Sequence, residues 1–382
     1  MNRRTFASQV LGAAGALAAG KVVAAIPSSP ARPLRVYFGT YTGFHGFSRG
    51  IYVADFDSAT GVLGVPRLAA RMRSPSYLEV HPSGRYVYAA SESRNEVSAF
   101  AVCQDGTLRL INTVPAGGDG PCHVSIDKTG RVAVVSNYGG GSVASFQIKR
   151  DGSLSGAASF IQHTGSSVNK ERQEGPHAHS AYFSPDNRFV LVCDLGLDKV
   201  FTYRVDLHTG KLTAHGFALL PPGSGPRHLA FSKSGRHVLV NNEMLLTETA
   251  FAYTPETGRL KALKTQSVLP KGVPFSSEYS TAETCVHPNG KWVYVSVRTH
   301  NSIARFRLDD STGGLVHLGN TPSGGRIPRD FNIDPTGRWL LAAHQDSHHV
   351  VVFEINPATG DLKPTGGQRR VGGAVCVKFA HV

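Results

Sequence analysis

Short runs of alternating apolar and polar residues recur along the chain, each about as long as a β-strand. Residues 97–102, 143–148 and 303–308 are examples, and turns rich in Gly and Pro stand between the runs. Alternation with a period of two predicts strands that bury one face, and short turns between them predict antiparallel hairpins. The pattern therefore predicts an all-β protein.

A repeated turn precedes one strand in each unit. It has the form Pro-x-Gly or Asp-x-x-Gly, followed by a basic residue and an apolar strand, as in His-Pro-Ser-Gly-Arg at 81–85. The fourth turn residue of its copies falls at positions 84, 130, 187, 235, 290 and 337, which gives intervals of 46 to 57 residues. A second turn, of the form Gly-x-Leu, recurs after the alternating strands. Repeats of this length predict propeller blades of four antiparallel strands.

The two ends of the chain each supply part of one further unit. Residues 36–39 and 50–55 read as the second and outer strands of a blade without an inner strand, and residues 373–379 read as an inner strand with nothing after it. Pairing the two parts completes a seventh blade and removes exposed strand edges. We therefore predict a seven-bladed β-propeller over residues 34–382, closed by its N- and C-terminal strands. A β-sandwich or two separate domains is the alternative.

The first residues have the order of a twin-arginine export signal. Paired arginines in the sequence Asn-Arg-Arg-Thr-Phe at 2–6 precede a mildly apolar stretch at 10–19 and then alanines suited to cleavage. We predict a signal at residues 1–25, a Pro/Ser linker at 26–33 and a periplasmic location. A short amphipathic helix is the alternative. No later run reaches the length of a transmembrane helix, so membrane insertion after signal removal is not expected.

Charge and cysteine content narrow the choice of partners. The formal net charge is +13, but the lysines and arginines are scattered and no run of five like charges occurs, which is typical of a solvated surface. A nucleic-acid partner is therefore not expected. The five cysteines lack a Cys-x-x-Cys spacing, which argues against a zinc or redox site. We predict a monomer that acts on a small molecule without a cofactor.

Polar residues interrupt the apolar pattern near the ends of the predicted inner and second strands. In a propeller such positions converge on one mouth of the central channel. The candidate site residues are His123, Asn137, His177, His179, Arg227, His228, Glu243, Arg298, Arg329 and His344. Glu243 and His179 are both candidate proton acceptors, and the arginines are candidates for binding an anion.

Four short motifs together resemble a known family. They are Gly225-Pro226-Arg227-His228, Asn242-Glu243, His177-Ala178-His179-Ser180 and Val297-Arg298. These motifs are similar to those of the lactonase family typified by 6-phosphogluconolactonase, which is related to a fungal carboxymuconate-lactonising enzyme. The resemblance covers roughly residues 34 to 382. It implies a site without metal that opens or closes a lactone.

The resemblance also assigns roles to the candidate residues. It implies a catalytic set of His179, Arg227, Glu243 and Arg298, while the remaining candidates are expected to bind substrate: His123, Asn137, His177, His228, Arg329 and His344. Because 6-phosphogluconolactone is a cytoplasmic metabolite and this chain is predicted to be exported, an unphosphorylated aldonolactone fits the predicted compartment better.

Alternative readings remain open at this stage. One is a carboxymuconate-type cycloisomerase, and another is a non-catalytic propeller that binds a partner through loops such as 165–175 and 270–280. Arg227 and Glu243 can also be a purely structural ion pair. A metal site at His344, His348 and His349 is disfavoured, because adjacent residues on a strand point to opposite faces.

Overall fold

The computed structural model describes residues 34–43 and 46–381, which fall within one compact unit of residues 32–382. The predicted signal at 1–25 and linker at 26–33 lie outside the described residues. In the part of the chain that is described, no helix has the length and hydropathy required to cross a membrane. The regular secondary structure of these residues is β-strand.

The strands are numbered in chain order. Their bounds are β1 Leu34–Thr40, β2 Thr42–Gly43, β3 Gly46–Phe47, β4 Gly50–Asp57, β5 Val62–Leu63, β6 Arg67–Arg71, β7 Pro75–Val80, β8 Tyr86–Ser91, β9 Glu96–Val102, β10 Leu108–Pro115, β11 Pro121–Ile126, β12 Val132–Asn137, β13 Ser142–Ile148, β14 Leu154–Gln162, β15 Ala178–Phe183, β16 Phe189–Asp194, β17 Lys199–Val205, β18 Leu212–Leu219, β19 Pro226–Phe231, β20 His237–Asn242, β21 Thr247–Thr254, β22 Arg259–Ser267, β23 Ser280–Val286, β24 Trp292–Arg298, β25 Ser302–Asp309, β26 Gly314–Pro322, β27 Pro328–Ile333, β28 Trp339–His344, β29 His349–Ile355, β30 Leu362–Arg370 and β31 Ala374–His381.

Six four-stranded antiparallel sheets follow one another along the chain and form blades 1 to 6. They contain β7–β10, β11–β14, β15–β18, β19–β22, β23–β26 and β27–β30. The first strand of each blade is the inner one, and the inner strands of neighbouring blades contact each other around the ring, including β31 with β7 and with β27. β2 and β3 form a separate two-stranded ribbon.

Blade 7 combines the two ends of the propeller, as the sequence predicts. β31 is its inner strand and pairs with β1, which in turn pairs with β4, while β5 and β6 lie on the outer side of β4. Val36 of β1 stands opposite Phe379 on one side and Ala54 on the other. Phe38 and Val377 are fully buried in the same sheet. The prediction of a seven-bladed propeller closed by its terminal strands is therefore confirmed.

The repeated turn joins the inner strand to the second strand within each of blades 1 to 6, and in blade 2 it contacts the preceding blade. In blade 2 the Asp127 carboxylate accepts hydrogen bonds from the backbone N–H groups of Thr129, Arg131 and Val132, which fixes the turn. Gly130 in this turn has a φ of 72°, and a Cβ placed there would lie 2.1 Å from Nε2 of His81 in blade 1. Only glycine fits this conformation and this close approach. The glycine of the repeat is thus required by contact between blades.

Tyrosines on second strands tie the blades together at their outer edge. Tyr88 of blade 1 donates a hydrogen bond to the carbonyl of Gly152 in blade 2 at 2.8 Å, and Tyr294 of blade 5 donates to Gly360 in blade 6 at 2.7 Å. Both side chains are fully buried. These contacts hold the blades in a fixed arrangement, so the side chains at the channel mouth have a rigid support.

Candidate active site

In blades 2, 3, 4 and 6 a β-bulge at the start of the inner strand sets one candidate or neighbouring side chain apart from the regular alternation. In blade 4 the pairing of β19 with β20 shifts after Pro226, which leaves Arg227 without a partner on β20. The same shift leaves Cys122, His179 and Arg329 unpaired in blades 2, 3 and 6. Cys122, Arg227 and Arg329 line one small internal cavity. Bulges commonly re-aim a side chain beside an active site, and here they turn these residues toward the channel.

Glu243 and Arg298 reach the same place from the ends of second strands. Glu243 follows the last residue of β20, and its N–H donates to the Gly225 carbonyl at 2.7 Å, next to the start of β19. Arg298 is the last residue of β24 and donates from Nη2 to the Thr281 carbonyl at 2.9 Å. Because paired strands run antiparallel, the end of a second strand lies beside the start of the inner strand.

The Glu243 carboxylate is buried and is ion-paired with three arginines. Its Oε2 lies 3.1 Å from Nε of Arg227 and 3.0 Å from Nη2 of Arg298, and its Oε1 lies 2.7 Å from Nη2 of Arg172. Arg227 is itself buried and also donates to the Ala282 carbonyl. A structural ion pair needs one guanidinium for one carboxylate. The excess positive charge at this position favours a site that binds an anion or stabilises a developing one.

The arginines determine the protonation state of Glu243. Burial by itself would raise the pKa of this carboxyl, but the charges of Arg298, Arg227 and Arg172 outweigh that effect and lower its pKa to about 2. Burial lowers the pKa of Arg298 to about 10, with repulsion from the neighbouring arginines acting against the attraction of Glu243. At neutral pH the cluster therefore contains one carboxylate and protonated guanidinium groups, which makes Glu243 a weak base.

Arg172 belongs to this cluster although the sequence did not single it out. It lies in the connection between blades 2 and 3, and its side chain is 43% exposed. The guanidinium also donates to the Tyr138 hydroxyl at 3.3 Å. The connection is held by Gln173, which is fully buried and donates from Nε2 to the Leu195 carbonyl and to Asp198 Oδ1, both at 2.8 Å.

His179 lies beside the arginines as a neutral imidazole. Burial and the positive charges of Arg227 and other neighbours hold its pKa well below 6.5. The ring is edge-on to those of His228 and Tyr138, with centroids 5.2 and 5.5 Å away. Burial raises the pKa of the adjacent Cys122 thiol to about 12, and this thiol donates to the His179 carbonyl at 3.1 Å. Cys122 is therefore a protonated structural group, and His179 is a neutral imidazole whose Nδ1 lies 3.9 Å from the Cys122 sulfur.

Two further predicted residues, His123 and His228, lie deeper in the channel. His228 Nδ1 is 2.7 Å from Oε2 of Glu283 and 3.1 Å from the Tyr182 hydroxyl. His123 packs against Tyr77 with ring centroids 4.2 Å apart. Burial lowers the pKa of both histidines well below 6.5. They form a layer of aromatic and imidazole rings beneath the arginine cluster.

Arg329, which lines the internal cavity, and His177 each pack against a tyrosine ring. The Arg329 guanidinium lies over the ring of Tyr41, 5.3 Å from its centroid, and forms no ion pair with a carboxylate among the described residues. The His177 ring stacks on Tyr138 with centroids 4.6 Å apart, and its Nδ1 lies 2.9 Å from the Tyr138 carbonyl. Arg329 therefore has positive charge available for a ligand, and His177 supports the residue that contacts Arg172.

Asn137 and His344 make their contacts within the blade framework. Asn137 donates to the Ala116 carbonyl at 3.3 Å and to the Ser142 hydroxyl at 3.1 Å. Nδ1 of His344 lies 3.3 Å from the His349 carbonyl, and burial lowers the pKa of His344 to about 4. The structure does not bring either side chain into contact with the Glu243 cluster. Their role in binding substrate stays a prediction.

The expectation that His348 and His349 are adjacent on a strand was wrong. β29 begins at His349, and His348 precedes it in a left-handed conformation with a φ of 59°. Residues 344–348 form a turn that shares a hydrogen bond between His348 N–H and the His344 carbonyl at 3.1 Å. Within residues 34–43 and 46–381, no three His, Cys, Asp or Glu side chains converge in a way that would hold a metal ion.

An open pocket of about 810 Å³ extends outward from the Glu243 cluster. Its lining includes Glu243 and Arg172 together with residues of the two loops that the sequence singled out as possible partner-binding segments, 165–175 and 270–280. Those loops thus border the same pocket as Glu243, one of the predicted catalytic residues. Pockets of this size accommodate small organic ligands.

Replacing Arg172 by glutamine tests whether this residue acts on substrate. We expect kcat/KM for the substrate to fall by about tenfold, since Arg172 contributes one of three charges around Glu243. The free energy of unfolding should change by less than about 1 kcal/mol, because Arg172 is substantially exposed and solvent screens its ion pair. Steady-state kinetics and urea unfolding measure the two effects. Arg188→Gln, which removes a surface guanidinium paired with Asp186, is the matched control and should leave both unchanged.

The fold and the site define an all-β propeller with a largely buried carboxylate paired with three arginines. The family model for the lactonase seven-bladed β-propeller matches residues 35–379. The chain belongs to this family.

Two curated relatives cover nearly the whole propeller. The chain is 35% identical over 348 residues to the 6-phosphogluconolactonase of Bacillus subtilis, covering 90% of this chain and 98% of the relative. It is 34% identical over 324 residues to the 6-phosphogluconolactonase of Formosa agariphila, covering 82% of this chain and 90% of the relative. Among solved structures, the periplasmic gluconolactonase PpgL of Pseudomonas aeruginosa superimposes with a TM-score of 0.85 at 31% identity, covering 92% of this chain and 99% of that one.

Proposed function

We propose that this chain hydrolyses the ring ester of a sugar-derived lactone, an unphosphorylated aldonolactone, to the open hydroxy acid, and that it does so without a metal ion. The observation that carries the proposal is the buried Glu243 carboxylate held by Arg227, Arg298 and Arg172 at 3.1, 3.0 and 2.7 Å beside the neutral imidazole of His179. This set supplies a proton acceptor and concentrated positive charge, the two requirements for opening an ester ring.

The chemistry follows from the protonation states. His179 removes a proton from water as the water oxygen attacks the lactone carbonyl carbon, and the carbonyl oxygen becomes an oxyanion stabilised by the guanidinium groups of Arg298 and Arg329. The ring C–O bond then breaks, and the leaving alkoxide takes the proton from His179. One lactone and one water give one hydroxy acid. Glu243 stays ionised throughout and orients the arginines, because its pKa is about 2.

Arg227 has a positioning role in this scheme. Its side chain is buried and connects the Glu243 carboxylate with the Ala282 carbonyl, so its position is fixed by groups on blades 4 and 5. Arg227, His123 and His228 are all buried from solvent. A low-dielectric surrounding strengthens the attraction between guanidinium groups and a developing oxyanion.

The proposed periplasmic location favours an unphosphorylated substrate. The P. aeruginosa relative is described as a periplasmic gluconolactonase, and the first residues of this chain carry the paired arginines of an export signal. We propose that residues 1–25 are the signal, that residues 26–33 are a linker, and that the propeller over residues 34–382 acts as a periplasmic monomer on a small-molecule lactone.

A lactonase assay tests the proposal directly. Protein without residues 1–33 should open gluconolactone well above the spontaneous rate, with kcat/KM of at least about 10⁴ M⁻¹s⁻¹, and should act more slowly on 6-phosphogluconolactone. Acid release followed in weakly buffered solution, with the spontaneous reaction subtracted, measures both rates. Faster turnover of the phosphorylated lactone would overturn the substrate assignment. Lactone formation from carboxymuconate would indicate the cycloisomerase, and no turnover of any lactone would indicate a binding propeller.

A further inference from the structure

The pocket outside Glu243 is much larger than one sugar ring requires. Its volume is about 810 Å³, near the upper end of the range that holds drug-sized ligands. Glu243 and Arg172 form its inner end, so the pocket is continuous with the proposed reaction site. A lactone whose ring lies at the arginines would therefore leave most of this space for a substituent.

Three large apolar side chains project into this space. Val168 is 61% exposed, Phe275 is 60% exposed and Leu245 is 38% exposed, and all three line the pocket. Single exposed apolar residues are common on protein surfaces. Convergence of three of them from three separate loops on one concave surface is a feature of ligand-binding sites.

Hydrogen bonds hold the walls of the pocket in place. Asp198 accepts from the N–H groups of Gly223 and Gly225 at 2.7 Å each and from the Ser167 hydroxyl at 2.5 Å. This ties the loop that carries Val168 to the connection between blades 3 and 4. A Cβ at Gly223 would lie 3.4 Å from a methyl carbon of Val168, so the two segments are in close contact. A preformed wall loses little conformational entropy when a ligand binds.

The charges at the rim select against an anionic group. Glu171 and Glu278 line the outer part of the pocket and are exposed, and neither forms an ion pair within the described part of the chain. The Arg172 charge is already paired with Glu243. A phosphate or carboxylate on the outer part of the substrate would therefore meet like charge, whereas an uncharged chain would not.

We propose that this pocket is a subsite for an uncharged alkyl or acyl substituent on the lactone ring. The inference rests on the proposed lactonase function and extends it from plain sugar lactones to lactones with an apolar chain. The ring lies at the arginines, and the chain covers Val168, Leu245 and Phe275. Each methylene group that is transferred from water onto the apolar side chains of the pocket strengthens binding of the transition state.

A series of γ-lactones with alkyl chains of increasing length on the ring tests this subsite. We expect kcat/KM to rise by about threefold for each added methylene over the first several members, and to fall when the chain ends in a carboxylate. Gluconolactone, measured alongside, reports the basal activity. Turnover of gluconolactone with no dependence on chain length would overturn the subsite and leave the lactonase assignment intact.

Two variants test whether the dependence of kcat/KM on chain length arises from this pocket. Phe275→Ser should flatten the dependence on chain length while gluconolactone turnover stays the same, because Phe275 lies in the outer wall. Phe160→Ser removes a side chain of similar exposure, 53%, on the outer strand of blade 2 and should keep the full dependence. An equal response of the two variants would show that the chain binds elsewhere.

Binding of the corresponding alkyl γ-lactams, which resist hydrolysis, separates the subsite from catalysis. Calorimetry should give dissociation constants that fall about threefold per methylene, with a negative heat-capacity change. If no lactone is turned over but the lactams show this trend, the lactonase assignment fails and the apolar subsite stands. If the lactams bind without regard to chain length, the subsite is wrong.

Discussion

Replacing Glu243 by glutamine should lower kcat/KM for lactone hydrolysis by about 10²- to 10³-fold and should destabilise the folded protein by about 3–5 kcal/mol. Glutamine has nearly the same shape but no charge, and its amide N–H groups would face guanidinium groups. Arg227 and Arg298 would then be buried without a counter-charge and would move apart. The proposed oxyanion site would lose the ion pair that positions Arg298, and the fold would lose the ion pairs of both side chains.

The stability effect of this substitution should depend on pH. Glu243 has a folded-state pKa of about 2, below the ordinary value of 4.5, so its ion pairs stabilise the fold above about pH 4.5. This contribution disappears as the pH falls toward 2, because the carboxyl takes up a proton. The shift corresponds to a free energy on the order of 3 kcal/mol. Urea unfolding at several pH values should therefore show the largest difference between the wild type and Glu243→Gln near neutral pH.

Two comparisons separate catalysis from folding in this experiment. Glu278→Gln, at the exposed rim of the pocket, should leave stability and gluconolactone turnover unchanged. The double variant Glu243→Gln with Arg172→Gln removes one of the unpaired charges and should recover part of the lost stability without recovering activity. Full activity in a folded Glu243→Gln protein would show that the cluster is structural only.

The propeller fold could be predicted from the sequence because it depends on short turn and strand motifs. Asp127 and Gly130 fix their turn by hydrogen bonds and by contact with the preceding blade, and a turn with Gly or Asn at the same position recurs in blades 1 to 6. Closure by the terminal strands followed from the missing inner strand at the N-terminal end. The register that places Val36 opposite Phe379 confirms it.

Only some of the residues that meet at the candidate site could be predicted from the sequence. The bulges that set Cys122, Arg227 and Arg329 apart follow a proline at the first position of the inner strand, and this Pro-x signal is visible at Pro226. Arg172 could not be found in the same way. Its connection between blades 2 and 3 has no counterpart of similar sequence in the other blades, and its place beside Glu243 depends on tertiary contacts of Gln173.

The choice between two candidate bases depended on electrostatics that the sequence does not show. Glu243 and His179 were equivalent as residue types. In the structure three guanidinium groups stabilise the charged form of Glu243, while burial and the same positive charges destabilise the charged form of His179. Neither group is a strong base in this environment, and we assign the base to His179 because both Glu243 oxygens are already paired with guanidinium groups.

Replacing His179 by alanine should accordingly lower kcat by about 10²- to 10⁴-fold, the usual contribution of a general base, with little change in KM. Added imidazole should restore part of the activity, since it can occupy the space left by the ring. His208→Gln, at an exposed turn on the outer edge of blade 3, is the control and should keep wild-type kinetics.

The pH profile of the wild type gives an independent check on His179. Because burial and the charges of Arg227, His228, Arg329 and Arg298 hold its pKa well below 6.5, the neutral form should persist as the pH falls below that value. The enzymatic kcat/KM, after subtraction of the spontaneous reaction, should then stay level from about pH 8 to below pH 6. A fall in activity centred near 6.5 would mean that the base is a histidine outside the influence of the arginines. Imidazole rescue confined to His179→Ala, together with a level profile, would instead assign proton transfer to His179, because a purely structural histidine would produce neither result.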